Sequence, residues 1–125
     1  MRRRLTNQEL HNLAMNIVGK DLKSKGYEFL AVNSQLKKHP QFVCIDANKK
    51  QYFVIVKAAP ISNNPISYDV IWMESFKTHA RKQNAKVLFA GVGMGDVDAH
   101  DLPPYINEEY ALQYEGLEQL DINLN

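Results

Sequence analysis

Leu10, Leu13, Ala14, Ile17, Val18 and Leu22 recur at three- and four-residue steps, which is the signature of one apolar helix face. Thr6 and Glu9 precede them as Thr-x-x-Glu. In such a capping box the hydroxyl takes the Glu9 amide and the carboxylate reaches back to the Thr6 amide. Lys20, Lys23 and Lys25 suit the negative end of the helix dipole, and Gly26 supplies a left-handed cap. The spacing predicts a helix over 7–25. The period then shortens. Residues 27–33 read as a first strand, with Phe29 and Ala31 on one face, and 35–40 as a polar, basic loop. Two apolar, β-branched runs, 41–47 and 51–58, flank Asn48-Lys49-Lys50, a hairpin turn with Asn48 suited to positive φ. Tyr52 to Val56 is apolar at every position, so that strand is expected to be central and covered on both faces.

Two prolines and two asparagines make 60–67 a loop. Trp72, Met73, Phe76 and Ala80 then return at helical spacing and predict a second helix over 69–84. Residues 86–92 read as a strand, 93–104 as a loop, 110–114 as a short strand, and 118–125 as a polar tail with a helical turn. The resulting order is α-β-β-β-α-β-β. It predicts a single α+β domain, a mixed sheet with helices packed on it.

Composition narrows the function classes. A chain of 125 residues with 45% apolar and 23% charged residues builds a core without staples. Its one cysteine, Cys44, excludes a disulfide framework, a four-cysteine zinc site and a cysteine-ligated iron–sulfur cluster. No apolar run approaches the ~18 residues of a membrane helix. Residues 1–5 read as a flexible basic arm, and Arg2-Arg3-Arg4 leads into a polar helix rather than an apolar segment. A cytoplasmic protein without membrane association is therefore expected. Charge is uneven along the chain. Residues 1–57 hold eleven Lys/Arg against four acids, and the rest holds four against ten. Such asymmetry fits a nucleic-acid face, self-association into a homo-oligomer, or two surfaces that meet within one fold.

Few groupings carry chemistry. Gly91-x-Gly93-x-Gly95 follows a strand but lacks the spacing of a dinucleotide loop and the Lys-Ser/Thr of a phosphate loop, and reads as a flexible strand exit. Asp96, Asp98, His100 and Asp101 cluster, yet a calcium loop fails at its fifth, sixth and twelfth positions, the last being Asn107. Asp96, Asp98 and His100 remain the metal candidates. His11 and His79 read as polar-face helix residues, and mid-strand Cys44 as an inert buried thiol. No Gly-x-Ser-x-Gly supports a serine hydrolase. Arg2, Arg3, Arg4, Lys37 and Lys38 are the candidates for phosphate contact.

The stretch from Glu9 to Lys57, with Gly26-Tyr27 opening a strand and Tyr52-Phe53-Val54-Ile55-Val56-Lys57 closing a hairpin, resembles the restriction-endonuclease-like fold, particularly its Holliday-junction-resolvase-like branch. A secretion-chaperone-like arrangement shares the same element order. The nuclease resemblance implies a divalent metal held by an Asp on the second strand and by the Glu of a Glu-x-Lys triplet. Aligning Lys57 with that Lys puts Ile55 at the Glu and Phe42 at the Asp; Asp46 fits only with a shifted register. The resemblance therefore implies a non-catalytic binding or scaffold protein on a degenerate nuclease-like fold. Its alternative is a nucleic-acid binder or metal-dependent nuclease using Asp46 and Lys57. The Leu5 to His11 start, Trp72-Met73-Glu74 and Asn107-Glu108-x-Tyr110 are also similar to short bacterial proteins that often carry the name of the flavin-binding, iron–sulfur component of the Na-translocating NADH-quinone reductase. That name implies FAD and a [2Fe–2S] cluster. With one cysteine and no flavin or nicotinamide fingerprint, no cofactor is expected here.

Overall fold

The computed structural model describes residues 2–35, 38–61 and 67–120. The first helix, α1 (Asn7–Ser24), starts at a complete capping box: Glu9 N–H donates to Thr6 Oγ1 (3.2 Å) and Thr6 N–H to Glu9 Oε1 (2.9 Å). Lys25 caps its other end, and Gly26 at φ +88° turns the chain out, a conformation without penalty only for glycine. Strands β1 (Glu28–Val32), β2 (Phe42–Ile45) and β3 (Gln51–Ala59) follow, then helix α2 (Val70–Lys82) and strands β4 (Ala85–Asp96), β5 (Tyr110–Tyr114) and β6 (Glu118–Leu120). Asp69 caps α2 by accepting the Trp72 amide at 3.0 Å. Of the loop expected at 60–67, residues 62–66 lie outside the described residues.

One mixed sheet runs β1-β2-β3-β4-β5, with β6 also on β4. The β1–β2 and β2–β3 pairs are antiparallel, and β3–β4 is parallel, with α2 as the crossover that a parallel pair requires. The protein is thus α+β, with two helices on a six-stranded mixed sheet among the described residues. Leu10, Ala14, Met15, Val18 and Leu22 of α1 pack on Tyr52, Val54 and Val56 from one side. Met73 and Ala80 of α2 pack with Phe53, Ile55 and Phe89 from the other. The alternation along β3 explains its unbroken apolar run, since each face supplies one helix layer with a core. Full burial of each such side chain contributes about 1.5–3 kcal/mol.

Four expectations about the fold are corrected. The glycine-rich segment is strand rather than loop. Gly91, Gly93 and Gly95 are buried in β4, whose 12 residues carry β6 beside Val87–Phe89 and β5 beside Val92–Asp96. A Cβ on Gly95 would meet the His100 carbonyl oxygen at 2.6 Å, so the glycine serves close packing of the following turn, not flexibility. Residues 118–120 are strand β6 rather than a helical turn, because β4 offers an unpaired edge; residues 121–125 lie outside the described residues. In the β2–β3 turn Lys49 takes positive φ (66°) instead of Asn48, whose amide is held by Asp46 Oδ1 at 2.9 Å.

Finally, the basic arm is tied down. Arg2 makes two bonds to the Glu108 carboxylate (2.9 and 3.2 Å) and Arg3 two to Glu9 (2.7 and 2.8 Å). Arg4 reaches the Pro103 carbonyl (2.8 Å) and the Tyr105 hydroxyl (3.0 Å), and its backbone bridges Tyr105. The basic start of the chain and its acidic second half meet within the fold.

Candidate functional site

β3 is longer than its neighbour on one side. Its register with β2 stops at Val54, whereas its pairing with β4 continues to Ala59. A side chain takes over where β2 ends. Gln41, fully buried, accepts the Val56 amide on Oε1 at 2.7 Å and donates from Nε2 to the Lys38 carbonyl at 3.2 Å. These two bonds fix the amide orientation. The same Nε2 faces His39 Nδ1 at 2.5 Å, so Nδ1 is the acceptor and the His39 proton sits on Nε2.

Beyond Gln41 the overhanging end of β3 opens into a cavity of ≈ 430 Å³, within the range of small-ligand sites. Val56, Lys57 and Ala58 form its floor, His11 of α1 and His39 stand at its sides, and Tyr68, Asp69 and Trp72 bring the start of α2 to it. His39 meets Trp72 and Phe76 edge-on, with centroids 5.1 and 5.4 Å apart, and Trp72 meets Phe76 at 4.7 Å. The result is a mostly apolar wall with a few convergent polar groups.

His11 is only 2% exposed, and its buried Nε2 has no hydrogen-bond partner among the described residues. This corrects its reading as a polar-face residue: it shares the inward stripe of Ala14, Met15, Val18 and Leu22. Burial lowers its pKa, and His39 nearby lowers it further. Burial lowers the His39 pKa as well. Both rings are therefore neutral near pH 7, because charging either one in this apolar setting is unfavourable. An unsatisfied buried donor or acceptor costs about 1–3 kcal/mol. Lys57 donates to the Ser67 carbonyl at 2.6 Å. Among the described residues, no carboxylate lies within ion-pair distance of its ammonium.

The other end of β3 holds Asp46. Its Oδ1 accepts the Asn48 and Lys50 amides, each at 2.9 Å, and its Oδ2 accepts the Tyr52 hydroxyl at 3.1 Å. These bonds, the Lys50 amide foremost, hold its carboxyl below the usual range. Six residues of strand, about 20 Å, separate the Ile45–Gln51 pair beside Asp46 from Lys57. The fold does not bring Asp46 and Lys57 together. Phe42 and Ile55, at the other catalytic positions of the nuclease pattern, are buried in opposite core layers.

The remaining candidates are dispersed. Asp96 ends β4 with one carboxylate oxygen 3.9 Å from Arg4, while Asp98 and His100 are exposed in the following turn. Among the described residues, no group of three His, Cys, Asp or Glu side chains is placed to hold a metal ion. Arg2, Arg3 and Arg4 are engaged as above, Lys38 is exposed, and Lys37 lies outside the described residues. Cys44 is fully buried and burial pushes its thiol up to about 11, as expected for an inert cysteine. Among the described residues, no helix is long and apolar enough to cross a membrane.

The profile of a family described as a domain of unknown function, DUF8840, matches residues 8–120. The chain belongs to that family. The span matched by DUF8840 contains every residue lining the β3 cavity and leaves out Arg2, Arg3 and Arg4. No curated protein matches the chain in sequence.

Of the site, only Lys57 is singled out by a reading of the sequence; His11 and Gln41 escape it for different reasons. His11 is legible in principle, since its spacing to Ala14, Met15 and Val18 puts it on the inward stripe. Gln41 is not, because its partners lie across the sheet at Val56 and beyond a loop at Lys38.

Proposed function

We propose that this DUF8840 protein is a non-catalytic binding module, and that its ligand site is the cavity at the carboxyl end of β3. The observation that carries this reading is a cavity of ligand size lined by His11, whose buried Nε2 has no hydrogen-bond partner among the described residues. Folding tolerates such a group where binding uses it. The endonuclease-like ancestry of the layout belongs to the same proposal. It is supported by the order of the first six elements and by the antiparallel β1–β2–β3 hairpins followed by a parallel β4.

Apart from Lys57 and Lys38, the nuclease and nucleic-acid alternatives draw on described groups that are already committed elsewhere. Asp46 is spent on its own turn, and the three arginines hold protein carboxylates, carbonyls and a tyrosine. Incubation with labelled duplex, single-stranded and branched DNA plus Mg²⁺ is expected to give neither cleavage nor salt-dependent binding. Cleavage abolished by Asp46→Ala would overturn the proposal.

A further inference from the structure

We propose that the cavity at the end of β3 is an oxyanion site, taking the carboxylate or phosphate headgroup of a small aromatic ligand beside Lys57. The inference rests on the cavity being a ligand site and adds the chemistry of what it holds. Lys57 supplies the charge. It is half-buried on the cavity floor, no described carboxylate pairs with it, and the Ser67 carbonyl takes one of its three donors. His11 supplies a second, independent pointer, a 98%-buried residue lining the same cavity whose Nε2 has no partner among the described residues. An oxyanion in the cavity would favour the protonated form of that ring through its charge. Trp72 and His39 form the flat wall for the ligand body.

The other charged and titratable groups on the cavity are few. Tyr68 and Asp69 stand at the start of α2, and His39 comes from the segment before β2. Asp69 opposes an anion, but it is exposed to solvent and one of its oxygens already accepts the Trp72 amide. The α2 N-terminus behind it carries the positive end of the helix dipole. An anion in the cavity thus meets the Lys57 charge against an Asp69 charge that solvent screens.

Trp72 is the single tryptophan of the chain, so its fluorescence reports on this cavity alone. The probes are benzoate, its neutral isostere benzamide, and phenyl phosphate. Benzoate or phenyl phosphate is expected to bind about tenfold or more tighter than benzamide, as one charge-assisted contact allows. Which anion binds better distinguishes a carboxylate from a phosphate headgroup. Lys57→Met is expected to erase the preference and Lys57→Arg to keep it, with circular dichroism confirming that both fold. Benzoate stays ionised from roughly pH 8 to roughly pH 6, so affinity rising over that range reports proton uptake by the histidines. His11→Leu should flatten the rise. Benzamide binding as tightly as both anions, unmoved by Lys57→Met, would overturn the oxyanion inference while leaving the ligand site intact. No response of Trp72 to any of the three probes would overturn both.

Discussion

The two ends of β3 are built on opposite terms. At the Gln51 end, β2 and β4 flank the strand, and Asp46 binds two turn amides and the Tyr52 hydroxyl. Tyr52 in turn packs edge-on against Tyr27 at 5.1 Å. At the Ala59 end, β2 is gone, one glutamine side chain stands in for it, and a histidine nitrogen is buried without a partner among the described residues. A carboxylate serves stability at the first end. At the second, an unsatisfied imidazole and an ammonium with no described counter-ion lie against a cavity. A strand that outruns its neighbour gains room for a ligand and loses the ladder that would have filled it.

The sharpest way to break this contrast is Gln41→Leu. The leucine keeps most of the volume but leaves the buried Val56 amide and the Lys38 carbonyl without their bonds. A loss of about 3 kcal/mol is expected, from about 1–3 kcal/mol for each orphaned group. Urea unfolding measures it. A loss below about 1 kcal/mol would mean that water enters and replaces the side chain, and that the Ala59 end does not depend on Gln41.

The hairpin end is expected to be less sensitive. Tyr52→Phe removes one hydrogen bond and keeps the ring, which amounts to about 1 kcal/mol in the same experiment. Asp46→Ala adds a pH signature. The folded-state carboxyl pKa is lowered, so its stabilisation is present above the unfolded value of about 4 and is lost as pH falls through the lower folded value. Wild type and variant should therefore converge in acid. Melts that stay equally far apart from neutral to acid pH would show that the Asp46 bonds do not depend on its charge.

How much of this is legible in the chain follows the range of the interactions. The Thr6–Glu9 box, the α1 stripe and the two-sided β3 are local patterns, and each forms as its spacing predicts. The second half of β4 is hidden because its glycines suggest backbone freedom. Its continuation depends on β5, which arrives later in the chain and shields the glycines from solvent. The site is less legible than the fold. Lys57 is visible, but its catalytic pairing with Asp46 is one that the strand length alone forbids. His11 is visible, but residue type suggests the polar face while its phase along the helix points inward. Gln41 and Trp72 acquire meaning only when the end of β2 is known.

The smallest expected effect tests the least ordinary feature. His11→Leu removes a buried nitrogen that has no partner, so it should leave stability near pH 7 unchanged or raise it by up to about 1 kcal/mol. Most core substitutions go the other way. The pH profile then separates relief of an unsatisfied group from simple repacking. Folded His11 and His39 both have lowered pKa values, so in mild acid the unfolded chain binds protons that the native state refuses. Stability is at its full value above the unfolded histidine pKa of about 6.5 and falls as pH drops through it towards the folded values. Leucine at position 11 removes one of the two groups responsible, so the acid limb should become shallower without vanishing, since His39 remains. A profile parallel to wild type would mean that His11 takes a proton in the folded state as readily as in the unfolded chain. Water would then reach the His11 ring, and the contrast between the two ends of β3 would narrow to the bonds of Gln41.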